Sequence, residues 1–189
     1  MFIARESELS KLDSLYNIDE FKSVYLHGEK HIGKSSLIRE FTKDKDCLYF
    51  NAFDSAEIYN LKEFSKKVYL FFGLPTSTGK FDSWESLFNF IAKNAKRYKF
   101  VLVINNVTRI MTDKSEFQEV LALYIKNYFI DNKFMLILCC ESDDFIKKFI
   151  TENSQLWGLQ SEQIKLEEFN FYDSIKLLGN MLKIILNEI

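Results

Sequence analysis

Gly28 and, four residues further on, Gly33-Lys34-Ser35 stand between an apolar run, Ser23-Val24-Tyr25-Leu26-His27, and the segment Ser36-Leu37-Ile38-Arg39-Glu40-Phe41. The spacing is that of a loop whose successive backbone N–H groups converge on phosphate oxygens. Glycine at both ends lets the chain turn tightly and lets an anion approach without a Cβ in the way. Such a loop works only between an incoming buried strand and an outgoing helix, and the flanking residues read as that pair. The helix start adds the positive end of its dipole. Gly28, Glu29, Lys30, His31, Ile32, Gly33, Lys34, Ser35 and Ser36 are therefore the candidate binding residues, with Lys34 on the β- and γ-phosphates and the Ser35 hydroxyl on Mg²⁺. The competing reading is a glycine turn that binds nothing. His27 and His31 read as phosphate ligands or pH-sensitive groups, or simply as a strand end and one of four variable loop positions.

The rest of the chain alternates strand and helix signals. Leu9, Leu12 and Leu15 mark an amphipathic helix over Glu6–Tyr16,. The helix after the glycine loop ends near Thr42, and Cys47–Ala52 reads as a second strand. Leu61, Phe64, Val68 and Phe71 form a helical stripe, with Asn60 and Glu63 at capping-box spacing and Gly73 and Pro75 as terminators,. Asp82 and Glu85 repeat the capping spacing before Trp84, Leu87, Phe88, Ile91 and Ala95, which read as core aromatics and aliphatics at helical spacing,. Phe100–Ile104 and Phe134–Cys140 are continuous apolar runs, as in central parallel strands covered on both faces,. A helix over Ser115–Ile130 joins them. Ser142 caps a short helix whose first turn carries Asp143 and Asp144. Gln163–Leu166 reads as a last strand, and 171–186 as a last helix with Ile175, Leu178, Leu182 and Ile185 on one side. This alternation implies one α/β domain with a parallel sheet.

Composition narrows the function classes. Apolar residues make up 47% of the 189-residue chain, and 19 Phe and 9 Tyr are spread along it, which excludes a disordered chain,. Lys plus Arg number 25 against 27 Asp plus Glu, so there is no direct sign of a nucleic-acid footprint,. Cys47, Cys139 and Cys140 lack metal-ligand spacing and read as reduced, buried residues; the last two, consecutive in a strand, face opposite ways. The amino terminus lacks a signal-peptide core, and no apolar run approaches the ~18 residues of a membrane span. The expectation is a soluble cytoplasmic protein with no membrane partner.

Several stretches together resemble one family. Phe2-Ile3-Ala4-Arg5-Glu6-Ser7-Glu8-Leu9 is similar to the F-x-G-R-E-x-E-L opening of the archaeal-type ATPases, a branch of the AAA-related P-loop NTPases close to the STAND class. Ile32-Gly33-Lys34-Ser35-Ser36-Leu37-Ile38 is similar to that family's phosphate loop (Walker A). Phe81–Ile91, followed by Arg97-Tyr98-Lys99-Phe100 and an apolar strand, resembles its aromatic helix before the second nucleotide motif. The resemblance implies a P-loop three-layer sandwich with a five-stranded parallel sheet in the order 5-1-4-3-2. It also implies ATP or ADP with Mg²⁺ at the carboxyl ends of the strands, and adenine near Phe2–Arg5. Residues 1–170 would form the AAA-like nucleotide-binding domain. Residues 171–189 would begin a lid, so that the chain is either shortened or a reduced protein. Arg5 has two readings, a nucleotide contact or an ion pair with Glu6 or Glu8.

Three positions depart from the family pattern. Asn105 and Asn106 stand where the family ends its strand in Asp-Glu. An amide carbonyl can still accept from a Mg²⁺-bound water, so Asn105 keeps a metal role through water, but neither amide can take a proton at neutral pH. Leu138-Cys139-Cys140-Glu141-Ser142 replaces a stretch ending Thr-Gly-Ser-Ser, and Leu159 stands where the family has an arginine. Glu141 becomes the candidate catalytic carboxylate, because the implied sheet order puts it beside the phosphate loop; its other reading is a solvated residue opening a helix. Four functions stay open: a nucleotide-binding switch or scaffold with little or no hydrolysis, acting on an unidentified protein partner or on missing C-terminal domains; an ATP hydrolase using Glu141 or a partner residue; an interaction module with a vestigial site; and, remotely, a P-loop kinase, for which the sequence shows no recognisable acceptor site.

Overall fold

The structure, a computed structural model, describes residues 5–96, 98–111, 115–141, 156 and 158–187. Five strands, β1 (Lys22–His27), β2 (Cys47–Asn51), β3 (Val101–Asn105), β4 (Met135–Cys140) and β5 (Glu162–Lys165), form one parallel sheet in the order β2-β3-β4-β1-β5. This is the order expected from the resemblance. The central strands β3 and β4 are buried along their whole length, which accounts for their unbroken apolar runs,.

Alternation along these strands sorts their side chains into two cores. Leu102, Ile104, Leu136, Leu138 and Cys140 join the core under α3 (Glu57–Phe71), α4 (Trp84–Ala95) and α5 (Glu116–Tyr124). Val101, Val103, Met135, Ile137 and Cys139 join the opposite core under α1 (Glu6–Asn17) and α2 (Lys34–Thr42). Cys139 and Cys140 thus face opposite layers as free thiols. Burial pushes the Cys47 thiol up to about 11 and the Cys139 thiol higher still,. The helical aromatics are packing residues: Phe64 stacks on Phe50 with centroids 4.4 Å apart, and Trp84 is buried,. Glu57 Oε1 accepts from the Trp84 indole at 2.7 Å and from the Phe117 N–H at 2.8 Å, tying three helices on that face.

Two helix starts differ from the expected ones. α3 begins at Glu57, and Asn60 lies within its first turn rather than capping it. The buried Asn60 amide instead accepts from Phe53 N–H at 2.8 Å and donates to Phe53 O at 3.1 Å, so it shapes the β2–α3 turn. α4 is capped by Ser83, not Asp82: the Ser83 hydroxyl accepts from Ser86 N–H and the Ser86 hydroxyl from Ser83 N–H, a reciprocal box with Ser in the place expected for Glu85,. α5 is capped by Ser115 and runs into a π-helical segment, Ile125–Phe129, so the single helix expected over Ser115–Ile130 changes its winding part-way,. The helix expected at Ser142, Asp143 and Asp144 lies outside the described residues.

The last helix, α6 (Phe171–Asn187), carries Phe171, Tyr172, Ile175 and Leu178 exposed to solvent. Its ammonium at Lys176 meets the Glu6 carboxylate of α1 at 2.9 Å. The side chains of Leu182 and Ile185 lie outside the described residues. No helix among the described residues is long and apolar enough to cross a membrane.

Candidate functional site

Parallel pairing brings the carboxyl ends of β1, β3 and β4 to one edge. His27 pairs with Cys140, so Gly28 and Glu141 leave the sheet side by side; Asn105 ends β3 one strand away. Between them lies a cavity of about 490 Å³ lined by Lys30, His31, Gly33, Lys34, Ser35, Ser36, Asn105, Asn106, Arg109 and Glu141. The volume falls in the range of small-ligand sites.

The glycine loop owes its path to backbone conformation and to two cationic side chains that hold its carbonyls. Gly28 has φ +150°, His31 φ +63° and Gly33 φ +102°, and Gly33 is the residue from which α2 starts. A Cβ on Gly28 would lie 2.6 Å from Leu166 O, so β5's exit requires a glycine there,. The buried Lys34 ammonium donates to Gly28 O at 2.7 Å and Glu29 O at 2.6 Å, closing the loop around itself. Burial lowers the Lys34 pKa from the usual lysine value, against the pull of Glu141 and of Cys139 and Cys140,.

Gly28, Glu29 and Ile32 build the loop without lining the cavity. Ile32 packs on the α1–α2 core, and its carbonyl accepts from Arg5. Arg5 itself lies away from this cavity, beside a second one of about 400 Å³ that includes Glu167 and Asn170. Its guanidinium donates to Ile32 O at 3.2 Å, Glu167 O at 2.6 Å and the Glu8 carboxylate at 3.1 Å, and sits over the Phe169 ring at 4.4 Å. Glu8, not Glu6, is its acidic partner. Phe2, Ile3 and Ala4, expected near adenine, lie outside the described residues. His27 is buried, with Nε2 3.0 Å from Gln163 Nε2, and does not line the cavity. Leu159 is half-buried against the core and its carbonyl accepts from the Ser23 hydroxyl at 2.5 Å; its neighbour Trp157 lies outside the described residues.

At the β3 side the chemistry is neutral. Asn51 Oδ1 accepts from the side-chain amides of Asn105 at 2.8 Å and Asn106 at 3.0 Å, which takes one N–H of each amide and orients both carbonyls,. Asn106 adopts a left-handed backbone with φ +55°, and the turn after it brings Arg109 to the cavity, its guanidinium donating to Ala52 O at 3.3 Å. Across the cavity the Glu141 carboxylate lies 3.3 Å from the Lys30 ammonium. Burial, and after it Cys139, raise the Tyr49 phenol above the ordinary tyrosine value,.

Asn51, Tyr49 and Arg109 escape a reading of the sequence. The first two sit on an edge strand with no motif. A signal for Asn51 exists only once β2 is in register with β3, where it pairs with Asn105.

As an anion site the arrangement fits: three cationic side chains and a backbone nest surround the cavity,. As a magnesium site it fits poorly, because that ion takes hard oxygens and is usually held by carboxylates. The two positions at the end of β3 are neutral amides, and Glu141 is drawn to Lys30.

Comparison with known proteins gives a consistent neighbourhood. Residues 2–188 match a family described as an ATPase domain predominantly from Archaea. An uncharacterised protein of Methanocaldococcus jannaschii is 23% identical over 176 residues, covering 90% of this chain and 37% of that protein. A Walker-type ATPase of Pyrococcus abyssi superposes with a TM-score of 0.70 at 18% identity, over 97% of this chain and 59% of that one. The Aeropyrum pernix ORC1 protein, solved in complex with DNA, superposes with a TM-score of 0.71 at 13% identity, over 97% of this chain and 50% of that one. This chain therefore spans between about a third and three-fifths of the length of these relatives, and the structural likenesses bear on fold alone.

Proposed function

Because the chain belongs to the family of ATPase domains found predominantly in Archaea, we propose that it binds ATP or ADP at the glycine loop, hydrolyses ATP weakly or not at all, and acts as a nucleotide-dependent switch or scaffold. One observation carries this reading: the cavity joins a phosphate cradle to the amides of Asn105 and Asn106 where a water-activating carboxylate would be needed,. Lys34 and the loop N–H groups would hold phosphate oxygens, Lys34 turning from Gly28 O and Glu29 O toward them. Gly28 to Ser36 would form the binding segment. An ATPase family implies nucleotide and, with it, Mg²⁺, for which the neutral amides at the end of β3 are a poor ligand set,; were the ion to accompany the nucleotide, Ser35 and, through a water, Asn105 are the groups left to hold it.

Arg5 supports the switch. It ties Ile32 of the loop to Glu167 and Phe169 at the entrance to α6, so a phosphate that reshapes the loop acts on residues leading to an exposed apolar helix. We assign residues 1–170 to the nucleotide-binding domain and 171–189 to the element that reports to a partner or to further domains. A second reading, a working hydrolase, is favoured by one fact: Glu141 is the carboxylate that lines the cavity. In that case Glu141→Gln abolishes phosphate release.

Thermal unfolding with and without nucleotide tests the binding claim. At 100 times its dissociation constant a ligand adds about 2.7 kcal/mol, which for a chain of this size raises Tm by roughly 5–10 °C. Lys34→Ala is expected to remove that rise. If neither ATP nor ADP shifts the unmutated protein, the binding reading is wrong.

A further inference from the structure

The charges around the cavity say more than that it takes an anion. In sites that hold a metal-bound phosphate chain, the ion neutralises phosphate oxygens and protein carboxylates neutralise the ion. Here the ledger of charge is reversed. Lys34, Lys30 and Arg109 reach the cavity, and the carboxylate among the lining side chains, Glu141, is paired with Lys30. The amides of Asn105 and Asn106 are held by Asn51.

Arg109 is placed to carry the missing positive charge. The loop after β3 swings it over the cavity, and its hydrogen bond to Ala52 O fixes the guanidinium through one nitrogen, Nη1. Among the described residues no carboxylate pairs with it. The remaining N–H groups form the planar fork that matches a phosphate bidentately. The Arg109 side chain is exposed at the mouth of the cavity, where it can meet a phosphate without first breaking an ion pair.

We infer that the cavity binds the phosphate chain of its nucleotide without needing a divalent cation, Arg109 supplying the charge that a cation would supply. The inference rests on the nucleotide-binding reading above.

Titration calorimetry of the full chain with ADP and with ATP, in excess magnesium and in excess EDTA, tests it. The dissociation constants in the two buffers are expected to agree within about threefold. Arg109→Ala is expected to weaken binding in EDTA by about tenfold, and Arg109→Lys by less, since a point charge replaces a fork. Asn105→Asp, which adds a carboxylate beside the phosphates, is expected to weaken binding in EDTA and to make it depend on magnesium. Nucleotide binding only in magnesium overturns the inference and leaves the binding reading intact. Binding in neither buffer overturns both. An Arg109→Ala protein that folds with an unchanged Tm and binds as tightly in EDTA as the unmutated chain overturns the role of Arg109.

Discussion

Replacing Arg5 with alanine is the sharpest mechanical test of how this molecule is held together. The guanidinium is almost fully buried and makes three hydrogen bonds, to Ile32 O, Glu167 O and the Glu8 carboxylate, besides its contact with the Phe169 ring. Hydrogen bonds that involve a charged group contribute roughly 1.5–3 kcal/mol each. Against them stand the desolvation of the guanidinium and its buried Nε, which has no partner among the described residues and costs about 1–3 kcal/mol,. Losing the whole clamp, with two carbonyls and a carboxylate left behind, is expected to destabilise the fold by about 3 kcal/mol. In urea, where m is about 1–3 kcal/mol/M, the midpoint falls by roughly 1–3 M. Arg5→Lys should recover only part of this, because one ammonium cannot span Ile32 and Glu167. As a control, Lys176→Ala breaks a surface pair with Glu6 and should leave the midpoint unmoved,. A loss below about 1 kcal/mol for Arg5→Ala would show that the N-terminal helix, the loop and the α6 entrance are not coupled through this side chain, and the switch would lose its physical route.

Two further outcomes follow from the same region. Gly28→Ala places a methyl 2.6 Å from Leu166 O at a backbone φ of +150°; the strain and the displaced β5 exit should cost about 2–4 kcal/mol, read by urea unfolding, and a neutral result would mean that β5 is free to move. For Glu8, burial raises the carboxyl pKa, but the Ser7 hydroxyl, its own backbone and Arg5 outweigh it, so the folded value lies below the ordinary 4.5. Folding therefore favours the ionised form: this stabilisation is complete above pH 4.5 and fades as the pH falls through the lowered value,. The Tm difference between the unmutated chain and Glu8→Gln should shrink below pH 4.5; a difference constant with pH would refute the ionised pair.

The sequence carries the phosphate loop openly, because tight turns and phosphate approach demand glycine at fixed spacing, and no neighbour is needed to recognise it. The strands at 101–105 and 135–140 were equally legible, since a parallel strand covered on both faces has no polar side to show. Sheet order came instead from likeness to a family; periodicity alone does not rank strands. The helix caps show the limit of local patterns. Asn60 has the type and spacing of a cap, yet a tertiary demand, the Phe53 backbone, claims its amide. Asn51 and Arg109 were illegible for the same reason: one matters through a strand 54 residues away in sequence, the other through a turn set by a left-handed Asn106. The stripe on α6 was readable as a pattern, but that Ile175 and Leu178 face solvent was not, because a pattern names an apolar face without naming what covers it.

The central claim is that this loop holds a nucleotide and the cavity lacks the base to cleave it. Mixing the protein with a stoichiometric amount of labelled ATP and magnesium, then separating and identifying the protein-bound nucleotide over several hours, tests both halves at once. The expected result is bound ATP recovered intact, with no binding to Lys34→Ala. Conversion of the bound ATP to ADP and phosphate, abolished by Glu141→Gln, would contradict it.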